Sequence, residues 1–464
     1  MRMSRDDETR PRSATETAPA RGTGGEVRED EGAVSPTDRP TVAGDPLPAD
    51  VPPEVLVLAP QFPSLNQPWI DTYLEQLHRQ GLSFAVATSV DPARRSHDKV
   101  DRLGLRQRAV RVATTRSEKV GSAAAMAATS PYEAWRMIDA SRKIATSGGR
   151  LRSRLVLALR ALHLASRLRR VGRPQVIHSH SLTFGYGFLA VALRWKTPLV
   201  LSFHGLEPSG VPQVPRERRH AQFEQASRVI VNTKVAGQQA VELGCAPAKV
   251  TVLPQGLPIE EFPFAPRPVP GQDEPLRLLT VGRLHPDKGH RYALDAARRL
   301  TEAGREISWD FVGFGPEYDD LVAEVGRLNL DGTVRFLGTL ESQELRQLYR
   351  QAHMFVLASV DHASPEEHVE TQGVVLQEAQ ASGCIPVATR VGGIPECVTH
   401  DEDGLLVPDR SGRAIAEAVE QLLSRPERWP TMQRAGRENV ERRFSADAVG
   451  EQMAQLLREE MGDA

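Results

Sequence analysis

Two carboxylates stand eight residues apart in HVETQGVVLQEAQASGCIPVATRVGGIPE (residues 368–396): Glu370 and Glu378, with Gly373-Val374-Val375 between them. Val374, Val375, Leu376 and Ala379 read as the buried side of a short helix, which Ser382-Gly383 closes. The apolar run Cys384–Ala388 then suits a buried parallel strand. Glu370 falls on the loop entering that helix and Glu378 about two turns on, at about 1.5 Å per residue. Unpaired N–H groups at the helix start favour an anion. Carboxylates flanking an anion hole suit a ligand with a phosphate in its middle and hydroxyls at both ends, the shape of a nucleotide-sugar. A glutamate pair on one short helix is ordinarily solvated surface. Three features weigh against that here: Gly373, where backbone approaches a ligand closely, the strand that follows at once, and the second glycine-rich turn Gly392-Gly393-Ile394-Pro395-Glu396.

Such residues need a scaffold, and the rest of the chain supplies two runs of alternating strands and helices. Val55–Ala59 reads as a strand, residues 60–68 as its loop, Trp69–Gln80 as a helix and Phe84–Ala87 as the next strand, a βαβ unit. The first loop lacks G-x-G-x-x-G, which argues against a dehydrogenase. Residues 91–174 read as mostly helical and basic, with Leu155, Ala158, Leu159 and Leu162 as one apolar stripe among arginines. Such a helix suits anionic lipid or a solvated basic face, and its place inside a domain favours the second. Strands then end in His178-Ser179-His180 and in His204-Gly205-Leu206-Glu207, with further strands at Arg228–Val231 and Val250–Leu253. In open parallel sheets ligands gather outside the carboxyl ends of strands, where both histidine sites fall. A His-x-His pair shares one strand face, as in zinc sites, but no third ligand has a fitting spacing, so no metal is assigned. His178 reads as a hydrogen-bonded core residue.

Pro263–Pro275 (PFAPRPVPGQDEP) is the best linker and a natural hinge. After it the rhythm restarts. The strand Leu276–Val281 leads into a loop carrying Arg283 and Lys288, and the helix His290–Ala303 follows. The strand Trp309–Val312 runs into Gly313-Phe314-Gly315-Pro316, and strands at Val334–Leu337 and Met354–Leu357 come next. The expectation is an α/β protein with two Rossmann-like βαβ domains facing each other across a cleft. Residues 54–265 are expected to form the first domain, 276–444 the second, and 445–464 a helix packing back toward the first. Residues 1–53 hold hardly any large apolar side chain and are expected to be disordered.

Lys and Arg number 58 against 60 Asp and Glu, so nothing draws the whole chain to nucleic acid. Cys245, Cys384 and Cys397 lack metal-ligand spacing and read as buried thiols of a reducing compartment. No apolar stretch approaches the roughly 20 residues of a membrane span, and the first residues lack the apolar core of a secretory signal. A cytoplasmic location is expected.

Nearly position for position, residues 368–396 resemble the Glu-x7-Glu signature of family-4 retaining glycosyltransferases. IHSH, LSFHG, GRLHPDKG, VGFGPE and DGLLVP follow in that family's order between Val55 and about Phe444. The resemblance implies the two-Rossmann GT-B architecture. It also implies transfer of a sugar from a nucleoside diphosphate to a hydroxyl, with retention, no metal and no cofactor beyond the sugar-nucleotide co-substrate. Carried over by position, Arg283 and Lys288 clamp the diphosphate, Glu378 holds the ribose and Glu370 the donor sugar. Gly313, Gly373, Val374 and Val375 complete the donor site, and His204 sits beside the reacting centre. Fixed cations and helix N–H groups aimed at the departing diphosphate lower the barrier.

The first-strand loop FPSLNQPW replaces a glycine-rich turn and is similar to the exopolysaccharide branch, the colanic-acid type. The 368–397 stretch is closer still to enzymes that move N-acetylglucosamine from its UDP form onto 2-deoxystreptamine in aminoglycoside antibiotic biosynthesis. That acceptor carries ammonium groups, so carboxylates are expected near His204 and His180. Glu207 and Asp71 are the candidates. In the plainer alternative Glu207 orders its loop and Asp71 supports the start of its helix. Three readings stand: an enzyme acting on a small polar aminocyclitol, a peripheral membrane enzyme acting on a lipid-linked sugar, and a sugar-nucleotide sensor without catalysis. The Arg-rich helix alone favours the second. Intact Arg283, Lys288, Glu370 and Glu378 argue against the third.

Overall fold

A computed structural model describes residues 52–64, 67–112, 115–144, 151–169, 171–207, 213–271, 274–361 and 367–462. The extension expected at residues 1–53 lies outside them except for its last two residues. Strands β1 (Val55–Leu58), β2 (Phe84–Thr88), β3 (Ala109–Arg111), β4 (Val176–Ser179), β5 (Leu199–Phe203), β6 (Arg228–Val231) and β7 (Val250–Val252) form one parallel sheet. Its order is β3-β2-β1-β4-β5-β6-β7. Strands β8 (Leu276–Val281), β9 (Ile307–Val312), β10 (Val334–Phe336), β11 (Met354–Leu357), β12 (Ile385–Thr389) and β13 (Leu405–Val407) form a second, ordered β10-β9-β8-β11-β12-β13. Helices cover both faces, so VLVL, LVLSF and MFVL are buried at every position.

Each order reverses between its first strand and the one that crosses over, at β1/β4 and at β8/β11. Crevices at such switch points are where α/β sheets bind ligands. Leu58 pairs with Ser179, so His180 leaves the first sheet at its crevice. The short strands β3 and β13 are absent from the sequence expectation. β3 is three residues long at the sheet edge with no buried side chain, and it leaves little apolar pattern to read.

In the helix Leu151–Leu168 the inward face carries Leu157, Ala158, Ala161, Leu162, Leu164 and Ala165. Leu155, expected on that stripe, is 60% exposed. Among the described residues no helix is long and apolar enough to cross a membrane. The three cysteines are buried and unpaired.

The proline-rich stretch is not a free joint. Ala265 N–H donates to Ser382 O at 3.3 Å, and the Gln433 side chain donates to Arg267 O at 3.0 Å, which fastens the stretch to the second half. The chain passes between halves a few residues earlier. There Leu257 N–H donates to Phe444 O (2.7 Å) and Ala446 N–H donates to Leu257 O (2.8 Å), so both crossings are zipped together. The helix Ala446–Met461 then lies on the helix Pro68–Arg79, where Asp447 accepts from Gln76 at 2.9 Å. Its Val449, Met453, Ala454 and Leu457 enter the core beneath the first sheet.

Candidate active site

The second sheet's crevice joins the loop after β8 to the loop after β11. Lys288 closes a short 3-10 turn on the first, and Glu370 comes from the second. Lys288 Nζ donates to Glu370 Oε2, and Ser359 Oγ donates to the same oxygen at 3.1 Å. Burial alone would raise the Glu370 carboxyl, but the Lys288 charge and these hydrogen bonds outweigh it and hold the group below the usual glutamate range. Arg283 stands exposed on the same loop as Lys288. Gly313, at φ 139°, lies so close that a Cβ there would come within 1.9 Å of Gly282 O, so the two glycine loops touch.

Gly373 begins the helix Val374–Ser382 with φ 68°. The first amides of that helix, Val374 and Val375 among them, have no intrahelical partner. Both valines are only half-buried, not the closed inner face the sequence suggested. Glu378, in the second turn, accepts from Tyr349 O–H at 2.7 Å. Burial pushes its carboxyl up to about 7 against that hydrogen bond.

On the first sheet His180 follows β4 and His204 follows β5. Their rings are stacked 5.8 Å apart, and Trp69 stands 5.3 Å from one and 5.1 Å from the other. His178 is a core residue, as expected, fixed between Tyr73 O–H (2.6 Å) and Ser202 Oγ (2.8 Å). Both ring nitrogens of His180, and Nε2 of His204, have no partner among the described residues. Burial lowers His204 to about 4, and burial with two neighbouring imidazoles takes His180 well below its ordinary value. Both rings are therefore neutral at pH 7, able to exchange hydrogen bonds with a hydroxyl.

These histidines line a cavity of about 470 Å³ with Trp69, Gln61, Arg160 and Glu207. Glu207 is exposed, and its backbone is tied to the Gln213 side chain at 3.1 and 2.7 Å. Asp71 corrects the sequence reading. It is 1% exposed and its carboxylate is 2.9 Å from His97 Nδ1. The helix Pro68–Arg79 turns Trp69, Thr72, Tyr73 and Gln76 inward toward the histidines, and Asp71 lies off that stripe.

The two halves meet beside Glu370. Thr371 O accepts from Thr233 Oγ1 (2.8 Å), Asn232 donates to Thr371 Oγ1 (3.0 Å), and Thr371 Oγ1 donates to His204 O (3.3 Å). His368 Nδ1 is 2.9 Å from Leu206 O. Lys288 and Glu370 thus face the His204 strand end across the cleft, flanked by Arg283 and Gly313. Trp69, Tyr73, Ser359 and Thr371 were not read from sequence. The Pro68-Trp69 pair at a helix start was the one visible signal, and an aromatic there reads first as core. Among the described residues no group of three His, Cys, Asp or Glu is placed to hold a metal ion.

The profile of the family "Glycosyl transferases group 1" matches residues 262–439, and that of "Glycosyltransferase Family 4" matches residues 105–261. A protein of Escherichia coli strain K12 named for colanic acid biosynthesis, the glycosyltransferase WcaL, is 34% identical over 47% of this chain; that match spans 53% of the relative's length. D-inositol 3-phosphate glycosyltransferase of Kribbella flavida is 31% identical over 64% of this chain and 74% of its own. Anabaena Alr3699/HepE, crystallised in complex with UDP, superposes with a TM-score of 0.64 at 16% identity, covering 88% of this chain and all of that one.

Proposed function

The chain belongs to the family-4 glycosyltransferases and has their GT-B fold, and on that premise we propose that it moves a hexose from a UDP-sugar to a saccharide hydroxyl, with retention and without a metal. The observation that carries this reading is the Lys288–Glu370 pair in the second sheet's crevice, opposite His204. Lys288 and Arg283 receive the diphosphate, helped by the amides of Gly373, Val374 and Val375 and by the open turn at Gly313. Glu370 takes the donor sugar's hydroxyls and Glu378 the ribose. A phosphate competing for Lys288 would release Glu370 from its ion pair, so donor binding and sugar recognition are coupled. Two fixed cations do the work that a divalent ion does elsewhere. UDP in the crystal of the structurally similar Anabaena protein supports the choice of nucleotide.

His180 and His204, neutral and lining the cavity, receive the acceptor hydroxyl. The resemblance suggests N-acetylglucosamine as the sugar and 2-deoxystreptamine as the acceptor, and Glu207 at the cavity rim favours that second reading. With Asp71 turned to His97 and Arg160 in the same cavity, the site favours instead a sugar acceptor without ammonium groups. A step of exopolysaccharide assembly fits this, in line with the name of the E. coli relative. The test is product analysis in EDTA, by mass spectrometry and NMR, from a panel of UDP-sugars with neutral, acidic and aminocyclitol acceptors. The expected result is a product with the donor's anomeric configuration. Inversion, or activity that returns only with added magnesium or manganese, overturns the reading.

A further inference from the structure

We propose that the acceptor carries an anionic group, a phosphate or a carboxylate, and that Arg160 binds it within the cavity that His180 also lines, with Arg218 as a second cation. This rests on the reading that the cavity is the acceptor's. Arg160 projects from the helix Leu151–Leu168 and lines the cavity of about 470 Å³ that His180, His204 and Glu207 share. It is only partly exposed. Among the described residues no carboxylate pairs with it, and the charged or titratable groups that act on it are Arg218 and the Tyr186 hydroxyl. Arg218 spreads over the Tyr186 ring at 5.3 Å, so two guanidiniums gather around one aromatic.

Some partly buried arginines of this chain are neutralised, as where Arg194 meets Glu133 at 2.6 Å and Arg437 meets Glu441 at 2.6 Å, whereas Arg108, over the Phe84 ring, and Arg267 share with Arg160 the lack of a carboxylate partner among the described residues. A guanidinium withdrawn from water beside a like charge is costly unless an anion joins it. Its seat is specific, because a Cβ on Gly187 would come within 2.9 Å of Arg160 Nε. His180 lines the same cavity, and its two ring nitrogens are buried without a partner among the described residues. A planar guanidinium suits either anion through paired hydrogen bonds. Glu207 is exposed at the rim, so an ammonium group entering the cavity would meet Arg160 beyond it.

The experiment is calorimetric titration of the full chain, first with UDP and then, saturated with UDP, with myo-inositol 1-phosphate, glucuronate, myo-inositol, glucose and 2-deoxystreptamine. UDP that fails to bind refutes the donor reading before any acceptor probe is added. At least one anionic probe is expected to bind tenfold or more tightly than its neutral counterpart. Preference for the phosphate marks a phosphorylated acceptor, and preference for glucuronate a uronic acid. Arg160→Met should erase the preference while leaving UDP binding and melting temperature in place, Arg218→Gln should reduce it, and Arg160→Lys should keep part of it. Equal binding of anionic and neutral probes, tighter binding of 2-deoxystreptamine, or an undiminished preference in Arg160→Met overturns the proposal.

Discussion

Glu370 and Glu378 flank one helix start in opposite electrostatic states. Burial raises both, but Glu370 has Lys288 against it, while for Glu378 the Tyr349 hydroxyl and the Arg346 charge do not offset burial and the Glu261 charge. The signs of their pH dependence differ accordingly. Glu370, depressed, stabilises the fold at neutral pH, and that contribution is lost as pH falls below the ordinary glutamate range. Glu378, at about 7 in the fold against 4.5 as a free side chain, keeps its proton where the unfolded chain has lost it. Stability therefore falls as pH rises from about 4.5 to 7 and does not recover above. Glu378→Gln should raise stability at pH 8 by up to about 3 kcal/mol and change little at pH 5. Thermal melts at the two pH values check this; the same shift at both would show that Glu378 is not strained by its charge. Retention of a carboxylate at such a cost is what a ligand-binding role would explain.

At the scale of elements, the helix Ala446–Met461 belongs to the first half's core though it follows the second half in sequence. Leu457 is fully buried there, so Leu457→Ala should cost about 2–5 kcal/mol, read by urea unfolding. A loss below about 1 kcal/mol would mean the helix is not an integral layer. Much of this architecture was legible. Long apolar runs such as VLVL and MFVL declare parallel strands buried on both faces, and GRLHPDKG and the Glu-x7-Glu stretch declare the crevice loops. What stayed hidden depends on rotation and on partners distant in sequence. The start of an amphipathic helix does not say whether Asp71 or Trp69 turns toward the histidines. Arg160 reads as one more arginine on a basic helix until the sheet shows a cavity beneath it. Glu396 reads as the end of a glycine turn, yet its carboxylate accepts from Lys234 N–H (2.9 Å) and Val235 N–H (3.0 Å), capping a helix of the other half.

That cap belongs to the whole molecule, because it joins the halves at the cleft floor. Gln255 and Gln372 exchange hydrogen bonds at 2.8 and 3.1 Å in the same seam, and Thr371 binds Asn232 and Thr233. Glu396→Ala should cost roughly 1–2 kcal/mol, the loss of a helix cap, with donor affinity reduced as well because the seam adjoins Glu370. A normal unfolding midpoint in urea would count against the cap, and normal donor affinity against the coupling. The central claim is that the crevice between β8 and β11 holds a sugar nucleotide through Arg283, Lys288 and Glu378. Calorimetric titration of UDP into the full chain, in EDTA, tests it most directly. The account predicts one site, with affinity at least tenfold weaker in Arg283→Ala, Lys288→Ala and Glu378→Gln, about 1.4 kcal/mol each, and unchanged in His204→Ala. Absence of binding without a divalent ion, or equal affinity in the Arg283 and Lys288 variants, would contradict it.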